Sequence, residues 1–325
     1  MKNLAFTTFA LTAITACSNG TSPASIDDTI IFADDLGDTV QTALVAGETV
    51  TAKSALMNAV VLDRESGSAS AASARSFALK LPSGDDEDVT IILDGQEVTF
   101  TASDRQIEDD DVIFYGWSQD SDNPRYSLWT WSHGGGAIEG ISVAGDSFVS
   151  IWEVFYDAED DSEYKAYVAG GAETRDSVLT GLGNATYEGY ANVKAYPDGS
   201  YDGFDTVDRL KSDIVMNADF GAGTISGAMT ELRWGWTGDA DDRVPVDGQI
   251  TMETADIGSD GSYSGALVPN AAFNANGVVS SSGGTYTGDF FGPSAEATAG
   301  AIGMSLSSGG TDYLGTGHFN ATVDD

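Results

Sequence analysis

Apolar and polar residues alternate with a period of two through much of the second half of the chain. Ile214, Met216, Ala218 and Phe220 take every other position, Gly221-Ala222-Gly223 interrupts, and Thr224-Ile225-Ser226 returns. A period of two sends successive side chains to opposite faces of a strand, so this stretch predicts a hairpin. Similar segments fall near 183–194, 212–220, 224–235, 247–256, 260–266, 284–292, 299–306 and 311–322. No apolar 3.6-residue period of useful length competes with them. Eight short strands in series predict a small closed antiparallel barrel. Glycine supports this, since 25 of the 39 glycines lie in the last 145 residues, where they permit tight bends and close backbone approach. Ser/Thr-Tyr-x-Gly recurs at 186–189, 200–203, 262–265 and 285–288. The spacing is too irregular for a solenoid, and the pattern is read as Tyr packing across a Gly at strand ends.

Between about 75 and 178 the same alternation continues with more aromatic residues. Phe77-Ala78-Leu79-Lys80-Leu81 alternates, and Val89–Leu93, Asp94-Gly95 and Val98–Phe100 read as a hairpin with an Asp-Gly turn. Further strands are expected at 112–117, 126–132, 148–156 and 163–168, divided by acidic turns. Tyr115/Trp117 and Trp129/Trp131 are two apart, so each forms an aromatic pair on one strand face. Core filling is the commoner use of such pairs. An exposed binding patch is the alternative.

Residues 17–74 look different. They are rich in Ala, Ser, Thr and Asp and include the low-complexity run 66–73. So few large apolar groups cannot offset ordering entropy, so a mostly flexible tether is expected. Before it, Lys2 precedes an apolar run from Leu4 to Ile14 and the small residues Thr15-Ala16. That is an export signal over 1–16, too short to span a bilayer permanently. The only cysteine, Cys17, sits where cleavage is expected. Ile14-Thr15-Ala16-Cys17 resembles the lipobox of bacterial lipoproteins, which implies acylation of Cys17 and anchoring to a lipid bilayer by several acyl chains. Ser18 after the cysteine resembles the outer-membrane class.

Composition then removes partners. With 14 basic against 51 acidic residues the formal charge is −37, which excludes a nucleic-acid phosphate grip and steers cations or basic proteins toward the surface. One cysteine excludes intrachain disulfides and multi-cysteine metal clusters, and only 2 histidines are present.

The remaining constellations are weak. Gly145-Asp146-Ser147-Phe148 mimics a GDSL hydrolase start, but no Asp stands three before His318 to complete its base. Asp198–Asp202 imitates half an EF-hand, yet position twelve is Arg209 where a glutamate is needed. Acidic runs at 85–88, 108–111, 157–161 and 239–242 are read as solvated turns, with weak calcium binding as the alternative. His133 and His318 are each able to ligate haem iron. A lone histidine near aromatics is more often structural, so no cofactor is expected. Trp234-Gly235-Trp236 puts two indoles on one face beside Arg233. They fill a small barrel if inward and anchor a partner if outward. The candidate partner contacts are therefore Trp129, Trp131, Arg233, Trp234 and Trp236.

Three motifs carry a resemblance. Gly183–Gly189, Asp219-Phe220-Gly221-Ala222-Gly223-Thr224-Ile225-Ser226-Gly227, and Gly284–Glu296 followed by Gly300 are similar, in order, to the opening strand, a hairpin and a strand pair of the barrel domain of transferrin-binding protein B and its relatives. Relatives include factor H-binding protein and haem-scavenging hemophilins, surface lipoproteins whose lobes pair a β-rich handle with an eight-stranded barrel. The resemblance implies an all-β chain with a handle over 75–178 and a barrel over 179–325. It implies non-enzymatic binding of a macromolecule or solute, iron- or haem-related in some relatives. A structural or adhesive envelope lipoprotein is the alternative. The motifs carry fold and not ligand contacts, because binding residues in the family sit in variable loops.

Overall fold

The computed structural model describes residues 173–199, 207–236 and 243–323 without a break, and before them the segments 49–51, 60–63, 66–71, 77–80, 89–93, 96–101, 105–107, 114–118, 125–131, 149–157 and 162–171. The strands before residue 172 are β1 (Thr49–Thr51), β2 (Val60–Asp63), β3 (Ser68–Ala71), β4 (Phe77–Lys80), β5 (Val89–Leu93), β6 (Gln96–Phe100), β7 (Arg105–Ile107), β8 (Phe114–Ser118), β9 (Arg125–Trp131), β10 (Val149–Asp157) and β11 (Ser162–Gly171). They form a four-stranded sheet, β1-β4-β5-β6, and a seven-stranded sheet, β3-β2-β11-β10-β9-β8-β7. Leu93 pairs with Gln96, as the Asp-Gly hairpin requires.

The stretch expected to be tether supplies β1, β2 and β3, which corrects that expectation for residues 49–51, 60–63 and 68–71. Val60 and Leu62 are 2% and 0% exposed and pack with Tyr196 and Val207. β3 holds its place through a ladder to β2, Val60↔Ala71 to Asp63↔Ser68, and Ala69 N–H donates to Asp198 Oδ1 at 3.1 Å. Backbone pairing needs no large side chain, so a Ser-Ala run that offers little core can still be an edge strand.

The second half is α1 (Asp176–Leu179), β12 (Asn184–Pro197), β13 (Asp208–Asp219), β14 (Thr224–Trp236), β15 (Val244–Pro245), β16 (Ile250–Asp256), β17 (Tyr263–Pro269), α2 (Ala271–Ala275), β18 (Ser280–Phe291), β19 (Ala297–Ser308) and β20 (Thr311–Val323). β12, β13, β14, β16, β17, β18, β19 and β20 each pair with the next, all antiparallel. β20 returns to β12, from Tyr187↔Val323 to Pro197↔Tyr313, and closes the eight-stranded barrel. All eight expected strands are present; β15 is a stub beside β14. A bulge between Lys211 and Asp213, with Glu231 at φ 48°, bends β14 against β13.

Eight strands leave a lumen just wide enough for side chains to fill. Here they fill it. Phe290 lies 5.0 Å from Phe220, 5.3 Å from Tyr263 and 5.9 Å from Tyr187 between ring centroids. Tyr286 and Phe319 continue the stack at 6.5 Å. Each such side chain contributes roughly 1.5–3 kcal/mol by leaving water. Both ends are stoppered by single helical turns that the sequence reading did not anticipate. Leu179 of α1 joins the core at one end, and Phe273 of α2 at the other. Asn270 caps α2, accepting from Phe273 N–H at 2.9 Å.

Tyr packing across Gly occurs as a reciprocal pair. Tyr263 stands opposite Gly288 and Gly265 opposite Tyr286. A methyl at Gly265 would come within 2.6 Å of the Tyr286 ring. The same pattern at 200–203 lies outside the described residues.

Candidate functional site

A stoppered, side-chain-filled barrel leaves its outer wall, its rims and the attached sheets as places for function. The wall under β11 is covered. Lys165, Tyr167 and Ala169 alternate on one face of β11 and are 1%, 1% and 2% exposed. They face outward-pointing residues of the barrel: Tyr167 lies 5.2 Å from His318, which is met edge-on by Tyr190 at 5.8 Å, and Lys194 Nζ sits 6.0 Å above the Tyr167 ring. Thr316, His318 and Asn192 are 1%, 3% and 8% exposed. Beyond this polar seam Tyr167 and Ala169 pack with Phe291, Ala297 and Ala299. Burial pushes the Tyr190 hydroxyl far above its ordinary value. His318 therefore stands between two tyrosines in an inter-sheet seam.

The rim near α2 opens a cleft of about 690 Å³. Asp198, Ser281, Ser305, Ser307, Asp312 and Tyr313 contribute to it. Ser281 stitches the strand ends there. Ser281 Oγ donates to Ser305 O at 2.6 Å and accepts from Gly283 N–H at 3.0 Å. Asp198 accepts from Ala69, so the half-EF-hand residue serves as a clamp between sheet and barrel. At the same end Tyr313 donates to Asp208 and meets the Trp234 indole edge-on at 5.5 Å. Burial raises the Asp208 carboxyl, and the Tyr313 hydrogen bond partly offsets that. Such a cleft is equipped for hydrogen bonding and carries no nucleophile–base pair among its described residues.

The predicted contacts separate. Trp234 is 5% exposed and belongs to the barrel core, the inward of its two sequence alternatives, so it is no outward partner contact. Its neighbour Arg233 is exposed on the outer wall. Trp236 ends β14 opposite Asp208. Trp129 and Trp131 occupy β9 opposite Glu153 and Ile151, which stand opposite Tyr167 and Ala169. Tyr115 and Trp117 of β8 pair with Thr130 and Leu128 of β9. Cys17, His133, the Gly145–Phe148 motif and the acidic runs at 85–88, 108–111 and 239–242 lie outside the described residues. Among the described residues no group of three or more His, Cys, Asp or Glu is placed to hold a metal ion, and no helix is long and apolar enough to cross a membrane.

The three resemblance motifs meet at the α1 end of the barrel. The Tyr187 hydroxyl donates to Ala295 O at 2.7 Å, joining the first motif to the third. Phe220 of the second stacks on Phe290 of the third. Asp219 Oδ1 accepts from Ala222 N–H at 2.8 Å, and Gly223 takes φ 68° to complete that turn. Ala295 at φ 59° is 1% exposed. The motifs are thus the closure of one barrel end, and no ligand contact is required to explain them.

No protein-family model matches the chain, and no curated protein does. Solved structures of transferrin-binding protein B are similar to it. A double mutant from Haemophilus parasuis Hp5 is 14% identical, covering 82% of this chain and 44% of that chain with a TM-score of 0.43. The isotype 1 protein from serogroup B Neisseria meningitidis is 16% identical, covering 82% and 43%, with a TM-score of 0.39. A DUF3598 protein of unknown function from Nostoc punctiforme PCC 73102 is 9% identical, covering 88% and 98%, with a TM-score of 0.23. The chain spans less than half the length of the transferrin-binding proteins it is similar to. Its fold is all-β: two sheets followed by a closed eight-stranded antiparallel barrel, the arrangement expected of a single handle-and-barrel lobe.

Proposed function

We propose that this chain is an outer-membrane lipoprotein, held by acyl chains on Cys17, that presents its sheets and barrel exterior to a protein or solute ligand without catalysing a reaction. The observation that carries the reading is the packed lumen. A barrel filled by Tyr187, Tyr263, Tyr286 and Phe290 and stoppered by Leu179 and Phe273 has no interior in which to store a ligand. Such a barrel serves as a rigid platform for its outer face, rims and loops. The export-signal and lipobox-like residues supply the address, and the −37 charge favours solubility and cationic partners.

Trypsin treatment of intact cells tests the placement. The reading expects loss of the barrel from wild-type cells, and release of a Cys17→Ala variant from the membrane fraction. Full protection of the wild type, or unchanged membrane association of the variant, overturns it. Native mass spectrometry of protein extracted from its own membranes tests the binding. A retained non-covalent mass is expected; a lipidated chain with nothing bound moves the function to a structural envelope role.

A further inference from the structure

The chain has only 14 cationic side chains among 51 acidic ones, yet four of them fall within residues 209–243. Lys211 on β13 stands directly opposite Arg233 on β14, and Arg209, two residues along β13, stands opposite Gly235. Leu210 and Ser212 are buried, so Arg209 and Lys211 alternate with them onto the outer wall. Directly paired positions are about 5 Å apart, and same-face neighbours about 7 Å, so long side chains from all three reach one point above the sheet. Arg243, which begins the approach to β15, is close enough to act on Lys211 electrostatically.

Like charges this close oppose one another, and Arg209 and Lys211 are partly desolvated beside the exposed Arg233. Lys211 is held below the ordinary lysine value first by burial, then by Arg243 and Arg209. Arg209 Nε is buried and meets no hydrogen-bond acceptor. Asp213 and Glu231 are exposed near the adjoining bulge. Among the described residues no ion pair or hydrogen bond joins either to Arg209, Lys211 or Arg233. A desolvated cation without a counter-charge is costly, and a cluster of them fits an occupant that is not part of the described chain.

We propose that Arg209, Lys211 and Arg233 form an oxyanion site on the β13–β14 wall, taking a phosphate-type group with several oxygens. A guanidinium grips two such oxygens with parallel N–H bonds, whereas lysine supplies a point charge. A dianionic, tetrahedral group engages several donors at once, which a single carboxylate does less well. The remote carboxylates repel anions at long range, but screening within about 8 Å at physiological salt leaves the local field in charge. The site is independent of lipidation and of the ligand proposed above.

The test uses the full-length chain and inorganic phosphate as probe, with ionic strength matched by sodium chloride. Phosphate is expected to raise the melting temperature of the wild type, and to bind Lys211→Gln/Arg233→Gln at least tenfold more weakly. Without phosphate the double variant should melt at the same or a higher temperature, because repulsion is relieved. A second arm mixes the Cys17→Ala chain with phosphatidic acid or phosphatidylcholine vesicles. Phosphatidic-acid-dependent sedimentation that the double variant loses assigns the phosphate to a lipid headgroup; an effect of free phosphate alone assigns it to a soluble ligand. Absence of both effects overturns the proposal. So does destabilisation of the double variant in phosphate-free buffer, which would show that the cations are already paired within the chain, with Asp239, Asp241 and Asp242 as the nearest candidates in sequence.

Discussion

The two faces of β12 lead opposite lives although they alternate along one strand. Inward, Tyr187, Ala191, Val193 and Ala195 enter the barrel core. Outward, Lys194 and Tyr196 meet the sheet that docks from outside, and Tyr190 meets His318 of the barrel wall beside them. The inner face is held by shape: small residues next to rings, with backbone so close that a methyl has nowhere to go. The outer face is held by a seam where polar groups are taken out of water, so its contacts must satisfy hydrogen-bonding needs as well as fill space. One strand therefore specifies both a closed barrel and the docking of a second sheet, and the two should fail differently.

Gly300→Val is expected to do the most damage. A Cβ there would overlap Thr287 O and come within 2.8 Å of the Phe319 ring. Neither backbone nor packed ring can retreat, so a loss of about 4 kcal/mol is expected, with cooperative unfolding of the whole barrel in urea. A smaller effect confined to the sheets would break the comparison. Tyr167→Ala comes next. It removes the ring beneath Lys194 and beside His318, at a cost of roughly 3 kcal/mol. Hydrogen exchange should then speed up in β11 and β2 while β12 to β20 stay protected. Uniform acceleration would show that sheet and barrel are one cooperative unit.

Alkaline pH gives the smallest and most gradual effect. Burial, reinforced by Glu253, lifts the Tyr286 hydroxyl from 10.0 to about 12, and Tyr187 and Tyr263 are lifted as well. A raised folded-state pKa means these tyrosines contribute stability that is complete below pH 10 and is lost as pH rises through the folded values. Absorbance at 295 nm should show the buried phenols ionising together with unfolding. Their free titration near pH 10 in a folded barrel would contradict the packed lumen.

Much of the barrel was legible because period-two alternation reports directly which face is buried. The Asp219-Phe220-Gly221 turn was visible from its own residues. The helices α1 and α2 were not, since one turn is too short to show a 3.6-residue period. The strand β3 was hidden by composition: Ser68-Ala69-Ser70-Ala71 has no large apolar side chain to announce it, and its place depends on the ladder to β2. Among the candidate contacts, sequence placed Trp234 and Trp236 on one face but left open whether that face was the core. It gave no sign that Lys165, Thr316 and His318 would share a seam, or that Lys211 would face Arg233.

By itself the sequence determined the all-β class, the eight barrel strands and the turns between several of them. These are local properties, set by alternation, turn residues and composition. The tertiary structure alone decided that three separate motifs close one end of the barrel, that Trp234 points inward, and that Arg209, Lys211 and Arg233 are neighbours on one wall. Those outcomes depend on strand register, and a shift of one residue would turn every side chain to the other face. Register is fixed by packing between segments far apart in the chain, so no local reading contains it.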